Sequence, residues 1–214
     1  AADLPAYRGE RYRATVPDTL DLAKRAELAL NGLGGTLDPG GDYQMWFEVY
    51  CNSRPPYLLH GGSDVCTPKF AVSLPLLRVA SGSQKYLDAE HGMMDTLVRW
   101  ISEDDGLWYF VHGPKRPWHI RWHMWKDYDT RTEDASPVDT AGAMMLALLI
   151  RQQMDGDPAW EPKLKAMARG LQSIAVDKGD YAYYPDGGIG AAFTYPRSGW
   201  VSTDEPSRER EGGE

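Results

Sequence analysis

Between Thr19 and Leu33, apolar side chains fall at Leu20, Ala23, Ala26, Leu30 and Leu33, three or four residues apart, with charged positions between them. That spacing predicts a helix with one apolar stripe, capped by Asp18 or Thr19 and stopped at Asn31-Gly32. A long irregular stretch follows, in which DYQMWFEVY (42–50) reads as a short strand. TPKFAVSLPLLRVASG (67–82) is apolar almost throughout. It predicts a buried helix with Thr67 as N-cap, Pro68 at the first helical position, a kink point at Pro75 and an end at Gly82. SQKYLDAEHGMMDTLVRWIS (83–102) is a more polar helix, and EDDGLWYF (103–110) closes the unit with a turn and aromatics. After a Trp-, His- and cation-rich segment (111–132), SPVDTAGAMMLALLIRQQM (136–154) predicts a second apolar helix, capped by Ser136 with Pro137 at its first position. DGDPAW turns the chain, EPKLKAMARGLQSIAV (161–176) is amphipathic, and DKGDYAYYPD (177–186) closes the second unit.

The two units repeat. Ser81-Gly82-Ser83 corresponds to Asp155-Gly156-Asp157, and Asp105-Gly106-Leu107-Trp108-Tyr109 to Lys178-Gly179-Asp180-Tyr181-Ala182-Tyr183, at an offset of about 74 residues. An apolar helix paired with a more polar one suits an inner and an outer helix, and the alternation suits a ring of helical hairpins. The helix at 19–33 would be an outer helix without its own inner partner. The expected fold class is therefore all-α, built from helical hairpins set in a ring. The expected organisation is a single, incomplete domain over residues 1–214, because two hairpins and one extra helix fall short of a ring and TDEPSREREGGE has no helix after it. A second copy or the remainder of the barrel would complete it.

TVPDTLDLAKRAELALNGL, HGGSDVCTPKFAVSLPLLRVASGS, DDGLWYF and GWVSTDEPSREREGGE together resemble the six-hairpin glycosidase superfamily, in particular its large bacterial members. The resemblance implies that these hairpins form part of an (α/α)6 toroid; it covers most of the chain and about half of a barrel. It implies a carbohydrate-active enzyme, a glycoside hydrolase of the polysaccharide-degrading kind, acting on an oligosaccharide that can carry an acidic sugar. It leaves open a uronate-directed polysaccharide lyase and a non-catalytic sugar-binding or assembly module, because one fold hosts many activities. In such toroids the substrate cleft lies where inner helices begin. The loops HGGSDVC, KDYDTRTEDASP and GWVSTDEPSRER would then converge on one mouth, and all three are acidic.

A formal charge of −8 disfavours a nucleic-acid partner, which would need a basic face. A composition 42% hydrophobic and 25% charged supports a packed core, and no apolar run reaches the roughly 20 residues of a membrane span. AADLPAY suits a mature end left by signal removal and equally a trimmed chain; a periplasmic or secreted location is the favoured expectation. Cys51 and Cys66 allow one disulfide or none. Eight Trp and twelve Tyr against four Phe favour amphipathic aromatics, of the sort that line wet grooves or pack between helices.

Glycoside hydrolysis needs two carboxyl groups. The candidates are Asp64, Asp129, Asp134, Asp139, Asp204 and Glu205, of which Asp64, Asp134, Asp204 and Glu205 are the chosen catalytic set. Asp64 follows Gly61-Gly62, where backbone can approach a ligand, and could equally cap a helix. Asp134 could cap the second inner helix, and Asp139 could serve only the helix dipole. Asp204 and Glu205 rest chiefly on the resemblance. His60, Trp118, Arg121, Trp122, His123, Trp125, Tyr128 and Tyr183 are the expected substrate-binding residues. Aromatic faces stack on sugars, and Arg121 with Arg116, Lys126 and Arg131 suits a uronate carboxylate. Tyr183 or Tyr184 could supply a lyase-type acid/base. His119 and His123 stand at helical ligand spacing but lack a third partner, so neither a metal nor any other cofactor is expected.

Overall fold

The computed structural model describes residues 20–46, 48–59, 63–109, 134–186, 194–197, 199–200 and 210–211. The described residues are mostly helical. Helix α1 spans Leu22–Gly34, α2 Ser63–Ser81, α3 Leu87–Arg99, α4 Val138–Asp155 and α5 Trp160–Ile174. Short antiparallel strand pairs join them: β1 (Leu37–Asp38) with β2 (Gln44–Met45), β3 (Glu48–Tyr50) with β4 (Tyr57–Leu59), and β6 (Val176–Asp177) with β7 (Ala182–Tyr183). Two further antiparallel pairs close longer loops: β5 (Ala135–Pro137) with β9 (Thr194–Pro196), and β8 (Pro185–Asp186) with β10 (Arg210–Glu211). The all-α expectation thus holds for the bulk of the chain, and the strands are an addition. The single strand expected over 42–50 is two, each in a different pair.

The helix caps differ from expectation for physical reasons. Asp21, not Asp18 or Thr19, caps α1, because its carboxylate accepts the Lys24 N–H at 2.8 Å. Leu20 and Ala23 are exposed, and the stripe of α1 reduces to Ala26 and Leu30 with Gly34, Leu33 packing at its edge. Helix α2 starts at Ser63, four residues ahead of the expected cap. Starting there lets Cys66 pack against the core and buries Thr67 in the helix instead of at its cap. Pro68 and Pro75 both lie inside the helix, each costing it one backbone bond. Ser136 does not cap α4 either: it is extended within β5 and fully buried, and Pro137 holds the N-cap position without a side-chain bond. Helix α3 begins at Leu87, later than Ser83, after a left-handed Tyr86.

Helix α2 is the centre of the packing. Helix α2 lies against α1, α3 and α4, and α4 against α5. One core runs through all of them, from Leu30 through Leu74, Met93, Met94 and Leu97 to Met144, Leu148, Leu164 and Met167. Burying each such side chain is worth roughly 1.5–3 kcal/mol. Methionine, unbranched and adaptable, fills the irregular spaces between helices that cross at differing angles.

A buried ion-pair triad ties three of the helices. Glu90 of α3 accepts from Arg78 of α2 through Nη2 at 2.7 Å and Nε at 3.2 Å, and from Arg151 of α4 through Nη1 at 3.1 Å. Arg78 and Arg151 both stand near the C-terminal ends of their helices, so α2 and α4 run in the same direction. Their N-terminal ends therefore share one end of the layer.

The repeat is borne out turn by turn. Gly82 and Gly156 end α2 and α4 with φ of 69° and 70°, each donating its N–H to the carbonyl four residues back. A small hairpin follows α3 and another follows α5, through the Ile101–Trp108 bridge in the first unit and β6–β7 in the second.

Candidate functional site

The longest-range pairing in the second unit builds the site. Strand β9 aligns Thr194, Tyr195 and Pro196 with Pro137, Ser136 and Ala135. One residue beyond that ladder, the Arg197 N–H donates to the Asp134 carbonyl at 3.2 Å, and Arg197 Nε to Asp134 Oδ2 at 3.4 Å. Asp134 is the residue immediately before β5, which runs straight into α4. The ion pair thus stands at the end where α4 begins.

The other wall comes from the turn after α3. The guanidinium of Arg197 lies 3.9 Å from the centroid of the Tyr109 ring. Tyr109 is buried, and its hydroxyl donates to Asp105 Oδ2 at 2.8 Å. Asp105 Oδ1 in turn accepts the Leu107 N–H at 2.9 Å, which pins the carboxylate within its own turn. That turn needs Gly106, at φ 76°, both for its left-handed backbone and for its close approach to the α5 backbone at Ala166.

Aromatic residues close the rim over the C-terminal end of α5. Trp200 donates Nε1–H to the Ile174 carbonyl at 2.8 Å and meets Tyr195 edge-on, with centroids 4.9 Å apart. Tyr184 lies on the other side of Trp200 at 6.4 Å and donates its hydroxyl to the Leu171 carbonyl at 3.0 Å. Burial pushes the ionisation of Tyr109 far above the ordinary phenol range, and the charge and hydrogen bond of Asp105 push it further, against the opposing pull of Arg197. Burial likewise raises Tyr184. Both hydroxyls are protonated donors with occupied partners, which makes them poor bases.

The arrangement offers a partly exposed carboxylate, a forked cation held over an aromatic face, a second carboxylate behind it, and an edge-on aromatic pair. Chemically these can bind a polar ring by stacking and hydrogen bonding, and can move a proton at Asp134.

Of the expected site residues, Asp134 sits in this cluster. Asp64 lies in the first turn of α2, at the same end of the layer but within a helix rather than a loop. Tyr183 is on β7, with its ring 6.3 Å from Tyr181 and 5.8 Å from Lys178 Nζ, away from Asp134's partners. Asp139 is exposed in the first turn of α4. His60, Trp118, Arg121, Trp122, His123, Trp125, Tyr128, Asp129, Asp204 and Glu205 lie outside the described residues. The sequence reading passed over Asp105, Tyr109, Tyr195, Arg197 and Trp200. DDGLWYF signalled the first two as a repeated turn. The rest depend on a three-residue strand pairing that leaves no periodicity.

Two other features are separate from this cluster. A cavity of about 590 Å³ lies between the end of α3 and the start of α5, among Val98, Arg99, Glu103, Pro162 and Lys163. It has no aromatic wall and shares no residue with the Asp134 cluster. Among the described residues, no group of three or more His, Cys, Asp or Glu is placed to hold a metal ion, and no helix is long and apolar enough to cross a membrane. Cys51 is exposed, Cys66 is half-buried in α2, and the two carry separate thiols. Comparison with protein-family models, with curated proteins and with solved structures gives no match.

Proposed function

We propose that this chain belongs to a six-hairpin toroid of the glycosidase type and acts on an oligosaccharide as a glycoside hydrolase, with Asp134 as one of its carboxyl groups. The observation that carries the proposal is the position of Asp134. It precedes α4 and pairs with Arg197, two residues along the chain from Tyr195, whose ring meets Trp200 edge-on. Two parallel inner helices flanked by outer ones fit the toroid. So do the apolar residues exposed on them, Leu76 and Val79 of α2 and Leu146 and Leu149 of α4, which suit helices with further inner neighbours. Asp64, Asp204 and Glu205 are the proposed sources of the second carboxyl group.

The test is turnover of neutral and uronate-containing oligosaccharides by the chain and by Asp134→Asn. General acid–base catalysis contributes typically 10²–10⁴-fold, so the variant should lose roughly that factor in kcat while still binding sugar. An unsaturated product from the unaltered chain would mean a lyase instead. Undiminished turnover by the variant would remove Asp134 from the chemistry. Binding without any turnover would leave a sugar-binding module.

A further inference from the structure

Arg197 is tied at one end only. Its Nε is engaged by Asp134 and its plane is stacked on Tyr109, whereas Nη1 and Nη2 have no partner among the described residues. The side chain is 39% exposed, against 23% for Asp134. Its platform is rigid: Tyr109 is buried and tethered to Asp105, and Asp105 is tethered to the Leu107 N–H. An arginine serving only the local fold would ordinarily spend its donors on local acceptors, as Arg78 does. Arg78 Nη1 reaches the carbonyls of Ser83 and Lys85 while Nε and Nη2 hold Glu90.

We propose that Arg197 reads a carboxylate on the substrate, so that the site selects saccharides carrying a uronic-acid unit. This rests on the carbohydrate reading above and narrows it. Two parallel N–H donors in a plane match the two oxygens of a carboxylate, and a neutral hydroxymethyl group at the same position offers only one oxygen. Stacking on Tyr109 and the bond to Asp134 fix the guanidinium before the ligand arrives. Little side-chain entropy is then left to lose on binding. Asp134 also limits which anions fit. A carboxylate can sit on the Nη edge, away from Asp134 Oδ2, whereas a ligand with negative charge spread on all sides would be repelled by it. The Tyr195–Trp200 pair stands on the same rim, because Tyr195 and Arg197 are two residues apart on one extended stretch and Tyr195 lies close enough to Tyr109 to influence its ionisation. A sugar ring stacked there would lie next to the fork.

The experiment is calorimetric titration of the whole chain with an oligogalacturonide and with its neutral methyl ester. It is repeated for Arg197→Met and for Arg197→Lys, which keeps the charge but loses the fork. Circular dichroism melts check that both variants fold. The free acid should bind the unaltered chain roughly ten- to hundredfold more tightly than the ester, the worth of a charge-assisted pair. Arg197→Met should bring the two ligands within about threefold of each other by weakening only the acid, with Arg197→Lys between. Equal binding of acid and ester by the unaltered chain overturns the proposal, as does a preference that survives Arg197→Met. If both ligands bind equally and Asp134→Asn still abolishes turnover, the carbohydrate reading stands and only the role of Arg197 falls. If neither ligand binds, both fall.

Discussion

Glu90 is the residue whose removal should cost this fold most per atom deleted. Its side chain is 2% exposed and faces Arg78 and Arg151, at 10% and 16%. Glu90→Ala deletes three charge-assisted hydrogen bonds, two from Arg78 and one from Arg151. Arg78 keeps the carbonyls of Ser83 and Lys85, so it is left partly satisfied. Arg151 fares worse, since its Nε is buried with no partner among the described residues even before the change. Leaving such a charge buried without its counter-charge costs about 3–5 kcal/mol, most of it desolvation that is no longer offset. Arg151→Met should cost less, about 1–3 kcal/mol, because Glu90 retains Arg78 and the methionine can fill the space. Replacing all three by Leu and Met should return stability to near the starting value, since the triad's net worth against apolar packing is small. Urea unfolding checks this through midpoints at constant slope. A loss below about 1 kcal/mol for Glu90→Ala, or a loss for Arg151→Met equal to it, would refute the reasoning.

Other outcomes follow from the turns and from the buried phenol. Gly106→Ala should destabilise by about 2–4 kcal/mol, because the new methyl group adds left-handed strain to an overlap with the α5 backbone. Gly82→Ala, at φ 69° with open space around it, should cost only about 1–2 kcal/mol; thermal melts of the two compare them directly, and equal losses would count against the overlap. The Tyr109 hydroxyl ionises far above its usual range when folded. Its stabilising effect is therefore complete below the ordinary phenol pKa of about 10 and is lost as pH rises above it, where the unfolded chain gives up its proton first. Unfolding midpoints measured from pH 8 to 11 should fall above about pH 10, by at most ~1.4 kcal/mol per pH unit from this group, and Tyr109→Phe should flatten that fall.

The helices were legible because their signals are local. Apolar spacing marked all five described helices, and Gly82 and Gly156 marked two of their ends, since a left-handed residue after a helix is a single-residue requirement. Starts were less legible. Thr67-Pro68 and Ser136-Pro137 both carry the composition of a helix entry, yet the first lies inside α2, and at the second Pro137 takes the N-cap so that α4 begins one residue later than expected. At the first, packing of Cys66 and Thr67 against the core draws the helix a turn further back. At the second, pairing with β9 claims Ser136 as a strand residue. In both, a contact distant in sequence outweighs a cap bond worth roughly 1 kcal/mol.

The same reasoning separates the visible part of the site from the hidden part. Asp134 could be named because it precedes an apolar helix, a relation contained within a few residues. Arg197 could not, because nothing near it in sequence says that it will face Asp134, 63 positions away. What joins them is a three-residue ladder too short for any alternation to show. Asp105 and Tyr109 stood within a recognised turn, where a carboxylate four residues ahead of an aromatic reads as turn chemistry. Only burial turns that pair into a fixed platform. A cation gains recognition value from such a platform because its orientation is set before a ligand arrives. The residues supplying that orientation must then come from several elements, here the turn after α3, the entry to α4 and the strand that closes over it. A site of this kind is dispersed along the chain by necessity, and its members become readable only once the helices that carry them have been packed.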